Sequence, residues 1–537
     1  MDGFNSKNVR TVLFLTLFVA VTFLGISQNR PPENGKTTKV LIENADSIEL
    51  DKNNRPDIYI LRGNVIFKHD SVYMYSDSAY WYSVTNSLEA FGSVRIEQGD
   101  SLTMYGSYLN YDANTKLAKM RENVRMENKR VTLFTDNFDY DRVQNLAYYF
   151  DGGMLVDSIN ELTSIYGQYS PGTKIAFFKD EVRLHNPQFE LSSDTLKYNT
   201  ESKIAFITGP TVIESDSGTI HSQRGWYHTI SEESMLYDRS LVVSKDQTKT
   251  ITADSIFNNR TIGFVEAFGN MVLNDTVKKL ILMGNYGYYD EVTKFAFATD
   301  SAQLIEFSRV DSLFLHADTL QMATIGEERE LKAFHGVRFY RIDLQGVCDS
   351  LQFNTTDSIL NLYRNPILWN SGYQINGDTI KVFFNDSTVE KMEVLNYAFA
   401  IEKLDTIYYN QLKGRNLTAY CIAGELHKIE VEGNVESIYY LADDNDAAQL
   451  DRNKTESNYM TIYIENREPV KFVCFPHTDM ELLPLPFLRP ENQYLGGFIN
   501  YDYLRPQNRE AIFSKVEMKT EDKPQPRRTR GRSAKSQ

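Results

Sequence analysis

Cysteine and tryptophan are scarce, with three of each in 537 residues. Cys348, Cys421 and Cys474 are too few and too far apart for a disulfide framework, and their spacing matches no zinc site. They read as ordinary strand residues. Beyond residue 28 no apolar run approaches the length of a membrane-crossing helix. Reactive constellations are missing too. There is no Gly-x-Ser-x-Gly elbow, no His-Glu-x-x-His pair and no Gly-rich phosphate loop. The eight histidines are dispersed, none at ligand spacing from another. The chain therefore does not read as an enzyme, and it implies no cofactor. Asp443-Asp-Asn-Asp446 offers carboxylates to calcium but lacks the Gly and closing Glu of a binding loop, so no metal site is assigned.

Positive charge is also scarce outside the ends. The chain carries −15 overall, while residues 514–537 hold eight Lys or Arg against three acids. Removing that tail (+5) and the first 28 residues (+1) leaves −21 on the body between them. Such a body repels phosphodiester chains, which excludes DNA and RNA as partners. The Pro- and Arg-containing tail reads as a disordered end, with a patch for anionic lipid head groups as the weaker alternative. At the other end Lys7 and Arg10 precede an apolar run from Thr11 to Ile26 and a polar exit at Ser27-Gln28-Asn29. That order is the pattern of a secretory signal over residues 1–28, followed by a linker over 29–39. A retained anchor is the competing reading. An exported chain with few cysteines fits a bacterial envelope.

What is present in quantity is a repeat. Tyr82, Tyr111, Tyr140, Tyr169, Tyr198 and Tyr227 follow one another at intervals of 29 residues. An aliphatic comes six residues after each of the first five: Leu88, Leu117, Leu146, Ile175 and Ile204. Gly or Asn then opens the next strand, as in Gly63-Asn-Val65, Gly92-Ser-Val94, Gly269-Asn-Met271 and Gly433-Asn-Val435. Within a unit the apolar residues alternate, and an Asp shifts the alternation by one. Val131, Leu133 and Thr135 precede Asp136, with Phe138 and Tyr140 after it. Phe189, Leu191 and Ser193 precede Asp194, with Leu196 and Tyr198 after it. Period two puts one set of side chains on one face of a strand. A one-residue shift is what a bulge or corner produces when a strand leaves one sheet for another. The corner aspartates (Asp136, Asp194, Asp254, Asp318, Asp349, Asp378) thus read as turn formers rather than acid–base pairs.

The expected architecture is all-β: an elongated open β-jellyroll of repeated bent antiparallel strands over residues 40–475. Residues 442–458 are expected as an acidic loop within it. Past Phe475 come Pro476, Pro484, Pro486, Pro490 and Pro506. Proline cannot donate to a ladder, so 476–513 is read as an arm or cap, and 514–537 as the basic tail. A membrane barrel fits poorly, because the outer faces are not apolar enough.

These units resemble the OstA or LptA-type repeats of lipopolysaccharide-transport proteins. The clearest copies are Gly63–Gly92, Ala253–Gly269 and Ala317–Gly336, and the likeness extends over Val40–Phe475. The chain departs from the single-module members in its length, its acidic insert and its Pro-rich end. The resemblance implies a periplasmic bridge whose apolar trough takes lipopolysaccharide acyl chains, with association to the inner or outer membrane allowed. It also implies pairing of edge strands with other envelope transport proteins, and it allows head-to-tail self-association. Inward parity nominates Val131, Leu133, Phe189, Leu191, Leu196, Leu313 and Leu315 as lining. The alternative is a structural or adhesive envelope protein with a closed core.

Overall fold

The computed structural model describes residues 38–519 apart from 327, 371, 386–387 and 444–445. The signal expected over 1–28, most of the linker and the tail beyond 519 lie outside the described residues. Among these, every regular element is a β-strand except four 3₁₀ turns near the C-terminal end.

The strands form an antiparallel meander in sequence order. Ile58–His69 pairs with Val72–Tyr82, which pairs with Ser87–Gln98, and so on through Leu102–Asp112, Leu117–Asn128 and Val131–Asp141. Every one of these ladders breaks near its middle. Between the first two, Arg62 faces Ser78 and Val65 faces Ser76, so Gly63-Asn64 stands opposite Asp77 alone. Residues on either side of the break belong to two facing sheets. We call the one containing Val65–His69 the front sheet and the one containing Ile58–Arg62 the back sheet. Elsewhere the strand is interrupted outright: Leu146–Tyr149 lies in the back sheet and Gly153–Asp157 in the front, both paired with Val131–Asp141.

The corner has a backbone reason. Two consecutive residues take left-handed angles at Gly63-Asn64, Gly92-Ser93, Glu122-Asn123, Asp180-Glu181, Gly269-Asn270 and Gly433-Asn434, among others. The aspartate noted in the sequence is the other side of the same corner. Asn123 donates its backbone N–H to the Asp136 carboxylate (3.0 Å), and the Asn270 amide donates to Asp254 (2.7 Å). Glycine is required where this approach is tightest: a Cβ on Gly63 would lie 2.3 Å from the Asp46 carboxylate. Counting 29 residues on from Asp180 reaches Gly209-Pro210. There the proline ring holds φ near −65°, the left-handed pair is absent, and the strand splits into Ile204–Ile207 and Thr211–Ser215.

One correction concerns residues 442–458. They are not a loop: Asp446–Glu465 is a strand laid against Glu425–Asp443, and Leu441 faces Asp451. From Asp451 onward the backbone pairs on both sides, with Glu425–Asp443 and with the edge strand Asp479–Pro484. Ladder hydrogen bonds on two flanks outweigh the poor strand preference of Asp and Asn.

Beyond Pro484 the chain runs back across the outer face of the front sheet. Its prolines deny it a ladder, and buried side-chain amides take over that role. Gln411 receives the Leu495 N–H (2.8 Å) and donates to the Gln493 carbonyl (3.1 Å). Gln374 treats Tyr501 N–H and the Ile499 carbonyl in the same way (2.8 and 2.9 Å). Gln345 accepts from Arg505, Arg338 donates to the Leu504 carbonyl, and Phe513 ends against the His316 ring. Under this strap Ile367, Trp369, Phe399, Ile401 and Tyr409 are buried.

Candidate functional site

The space between the sheets is the largest apolar feature of the molecule. One cluster of buried side chains runs without a break from Val40 to Ile464. Alternation places Val131, Leu133, Phe189 and Leu191 on the inner face of the front sheet, and Leu196, beyond its corner, on that of the back sheet. These five and Leu315 are 0–3 % exposed, while Leu313 is half-buried against the same cluster. Leu133 faces Leu155 and Leu315 faces Leu304 across neighbouring strands. The nominated residues thus share one interior, spread along its length. Side chains fill that interior in this state.

The corners close one long side of the two-sheet stack. The opposite side is a seam, where hairpin turns of the front sheet meet those of the back sheet. Here the periodic tyrosines have a second use. Tyr111, at the end of a back-sheet strand, reaches His69 of the front sheet (2.6 Å) and accepts a hydrogen bond from Arg142 (2.6 Å). Beside it Lys116 pairs with Asp70 across the seam at 2.8 Å. Three repeats further on the arrangement recurs. Tyr198 donates to Asp157 (2.7 Å), Lys203 pairs with the same carboxylate (2.8 Å), and Asn160 donates to Tyr198 (2.9 Å). These two latches hold the long edge shut.

Their electrostatics differ. The hydrogen bond from Lys116, with a second from Thr38, holds the Asp70 carboxyl down to about 2. Burial pushes the His69 pKa below its ordinary value, favouring the neutral ring. Around the second latch, burial and then the Asp157 carboxylate push the Tyr198 hydroxyl far up, so it remains a donor. Tyr149, whose hydroxyl meets Ser164 across the two sheets at 2.7 Å, is pushed up to about 12 by burial. Among the described residues no three His, Cys, Asp or Glu side chains converge as metal ligands.

Sequence reasoning found the interior but missed the latches. A signal was there: Asp70 and Asp157, Tyr111 and Tyr198, and Lys116 and Lys203 are each 87 residues apart, three times the tyrosine interval. It is visible only once the period is known and polar residues are counted against it.

Comparison with known proteins bears on the same region. Residues 37–194 match the family model described as OstA-like protein. Among solved structures the chain is similar to LptH of Pseudomonas aeruginosa, the LptA-homologous periplasmic component of the lipopolysaccharide transport device. The identity is 11 %, the match covers 31 % of this chain and 80 % of that one, and the TM-score is 0.10. No curated protein matches the chain.

Proposed function

We propose that this chain, which matches the OstA-like family model over residues 37–194, is a periplasmic bridge that carries lipopolysaccharide along its interior toward the outer membrane. The observation that carries the reading is the unbroken apolar column from Val40 to Ile464 between two sheets. An acyl chain gains about 0.8 kcal/mol per CH₂ removed from water, so a continuous apolar path transports lipid without bond chemistry. Because the column is packed, loading requires the sheets to part at the seam, and the latches set the cost of that motion.

The two ends suit hand-over. At the first, Ile48 is about half exposed although its strand partner Leu61 is fully buried in the core. At the last, Phe472, Met480 and Leu482 are likewise exposed on strands with one free edge. Strand addition by another envelope transport protein, or by a second copy head to tail, would continue both ladder and column.

A second reading has its own observation: core residues at 0–3 % exposure are what a closed structural sandwich shows. Photo-crosslinking in cells separates the two. A reactive side chain at Leu133 or Leu191 is expected to capture lipopolysaccharide, and one at Thr132 or Glu190 is not. Equal or absent capture by correctly folded protein would leave the closed-core reading.

A further inference from the structure

Between the two latches the seam holds a cleft beside the Arg130–Glu201 ion pair that crosses it. The front-sheet positions that bring His69 and Asp157 to their tyrosines are occupied, in the intervening repeats, by Gln98 and Asn128, at steps of 29, 30 and 29 residues. No carboxylate crosses there from the front sheet, and a cleft of about 300 Å³ lies between the front-sheet turns at 98–102 and 128–131 and the back-sheet turn at 171–174. Its lining includes Gln98, Asn128, Lys129, Arg130 and Lys174, and no acidic side chain. Glu201 pairs with Arg130 at 2.7 Å, and Lys174 donates to the Pro171 carbonyl. Among the described residues no carboxylate pairs with Lys129 or Lys174.

We propose that this cleft binds a phosphorylated sugar. The two lysine ammonium groups match a phosphate, since charge-assisted hydrogen bonds are the strong ones. The amides match hydroxyl groups: Gln98 Oε1 is buried with no hydrogen-bond partner, an acceptor that a sugar hydroxyl would satisfy. On a body of −21, a cleft with two lysines that no carboxylate pairs, beside an Arg130 already paired with Glu201, is a local reversal of sign. It reconciles an acidic rod with an anionic cargo. Leu102 belongs to both the cleft wall and the buried column, so a head group held here would stand directly over the interior. The proposal therefore deepens the lipid-carrying reading and rests on it for its biological use, though not for its chemistry.

An acyl-free ligand tests the chemistry alone. Glucosamine 1-phosphate, titrated calorimetrically into the full chain, is expected to bind more tightly than inorganic phosphate. The double substitution Lys129→Gln/Lys174→Gln is expected to weaken it about tenfold or more. Lys119→Gln, on the outer face of the back sheet, is expected to leave it unchanged. Gln98→Leu is expected to remove the preference for sugar phosphate and spare phosphate binding. Unchanged binding in the double variant, or no preference for the sugar, overturns the proposal. Phosphatidylcholine vesicles with and without lipopolysaccharide then identify the source. Capture lost in the double variant assigns a lipid head group, and capture retained assigns a free sugar phosphate. Loss of the cleft result with Leu133 crosslinking intact would sink this site and leave the transport reading standing.

Discussion

Up to about residue 330 the front sheet buries one face; beyond it the same sheet buries two. In Val131–Asp141 the inner residues Val131 and Leu133 are buried while Thr132 is half-buried and Phe134 is 38 % exposed. In the later repeats Ile367, Leu368 and Trp369 are buried in succession, and Phe399 and Ile401 are covered from outside as Ala398 is from within. The corner geometry is shared by both regions, so the strand repeat does not itself decide how many faces a sheet buries. The strap does. A sheet covered on both sides buries apolar residues on its outer face too, and the polar ones left there, such as Gln374 and Gln411, bond the strap instead of water. The earlier region keeps a free outer face and relies on its seam to hold the two sheets together.

The largest effect expected from this difference follows removal of the strap. Deleting 485–519 should expose Trp369, Phe399 and Tyr409 and cause aggregation or loss of protection in the later repeats, with amide exchange in Val131–Asp141 unchanged. Trp369→Ala is the milder form, at about 3–5 kcal/mol. Loosening of both regions to the same extent would mean that the strap stabilises the whole stack, and the contrast would fail. Next in size is Asp157→Ala, which leaves Lys203 facing a buried site without its partner and should cost roughly 3–5 kcal/mol. Its readout is faster amide exchange around Tyr198, while the Tyr111 latch is spared.

A smaller effect is expected at a corner. Gly269→Ala forces a Cβ to within 2.5 Å of the Asp254 carboxylate at φ +73°, and should cost about 1–3 kcal/mol in denaturant unfolding. The smallest is a pH effect confined to the first latch. The folded Asp70 pKa is depressed, so its contribution is complete above the unfolded value near 4 and is lost as pH falls toward about 2. The folded His69 pKa is depressed too. Protonation therefore favours the unfolded state, and stability begins to decline below the unfolded value of about 6.5. Exchange near Tyr111 should rise on mild acidification before exchange near Tyr198. The reverse order would contradict the assignment of these groups to the first latch.

Much of this architecture was legible in the residues alone. The 29-residue tyrosine interval, the alternation and its slip at Asp136 and Asp194 are local properties, because strand pleat and corner strain act over two to four neighbouring residues. They determined a bent-strand sandwich with Leu133, Leu191 and Leu196 inside. The hairpin at 442–458 was misread because composition reports side-chain preference, whereas from Asp451 its backbone is held by partners on both flanks. The cleft, the strap and the contacts within the latches, though not the 87-residue spacing of the latch residues, were decided only by tertiary structure. Asp70 meets Lys116 across 46 residues, and Gln374 meets Tyr501 across 127. Such contacts depend on how two sheets face each other and where a returning chain lands, and no local period encodes either.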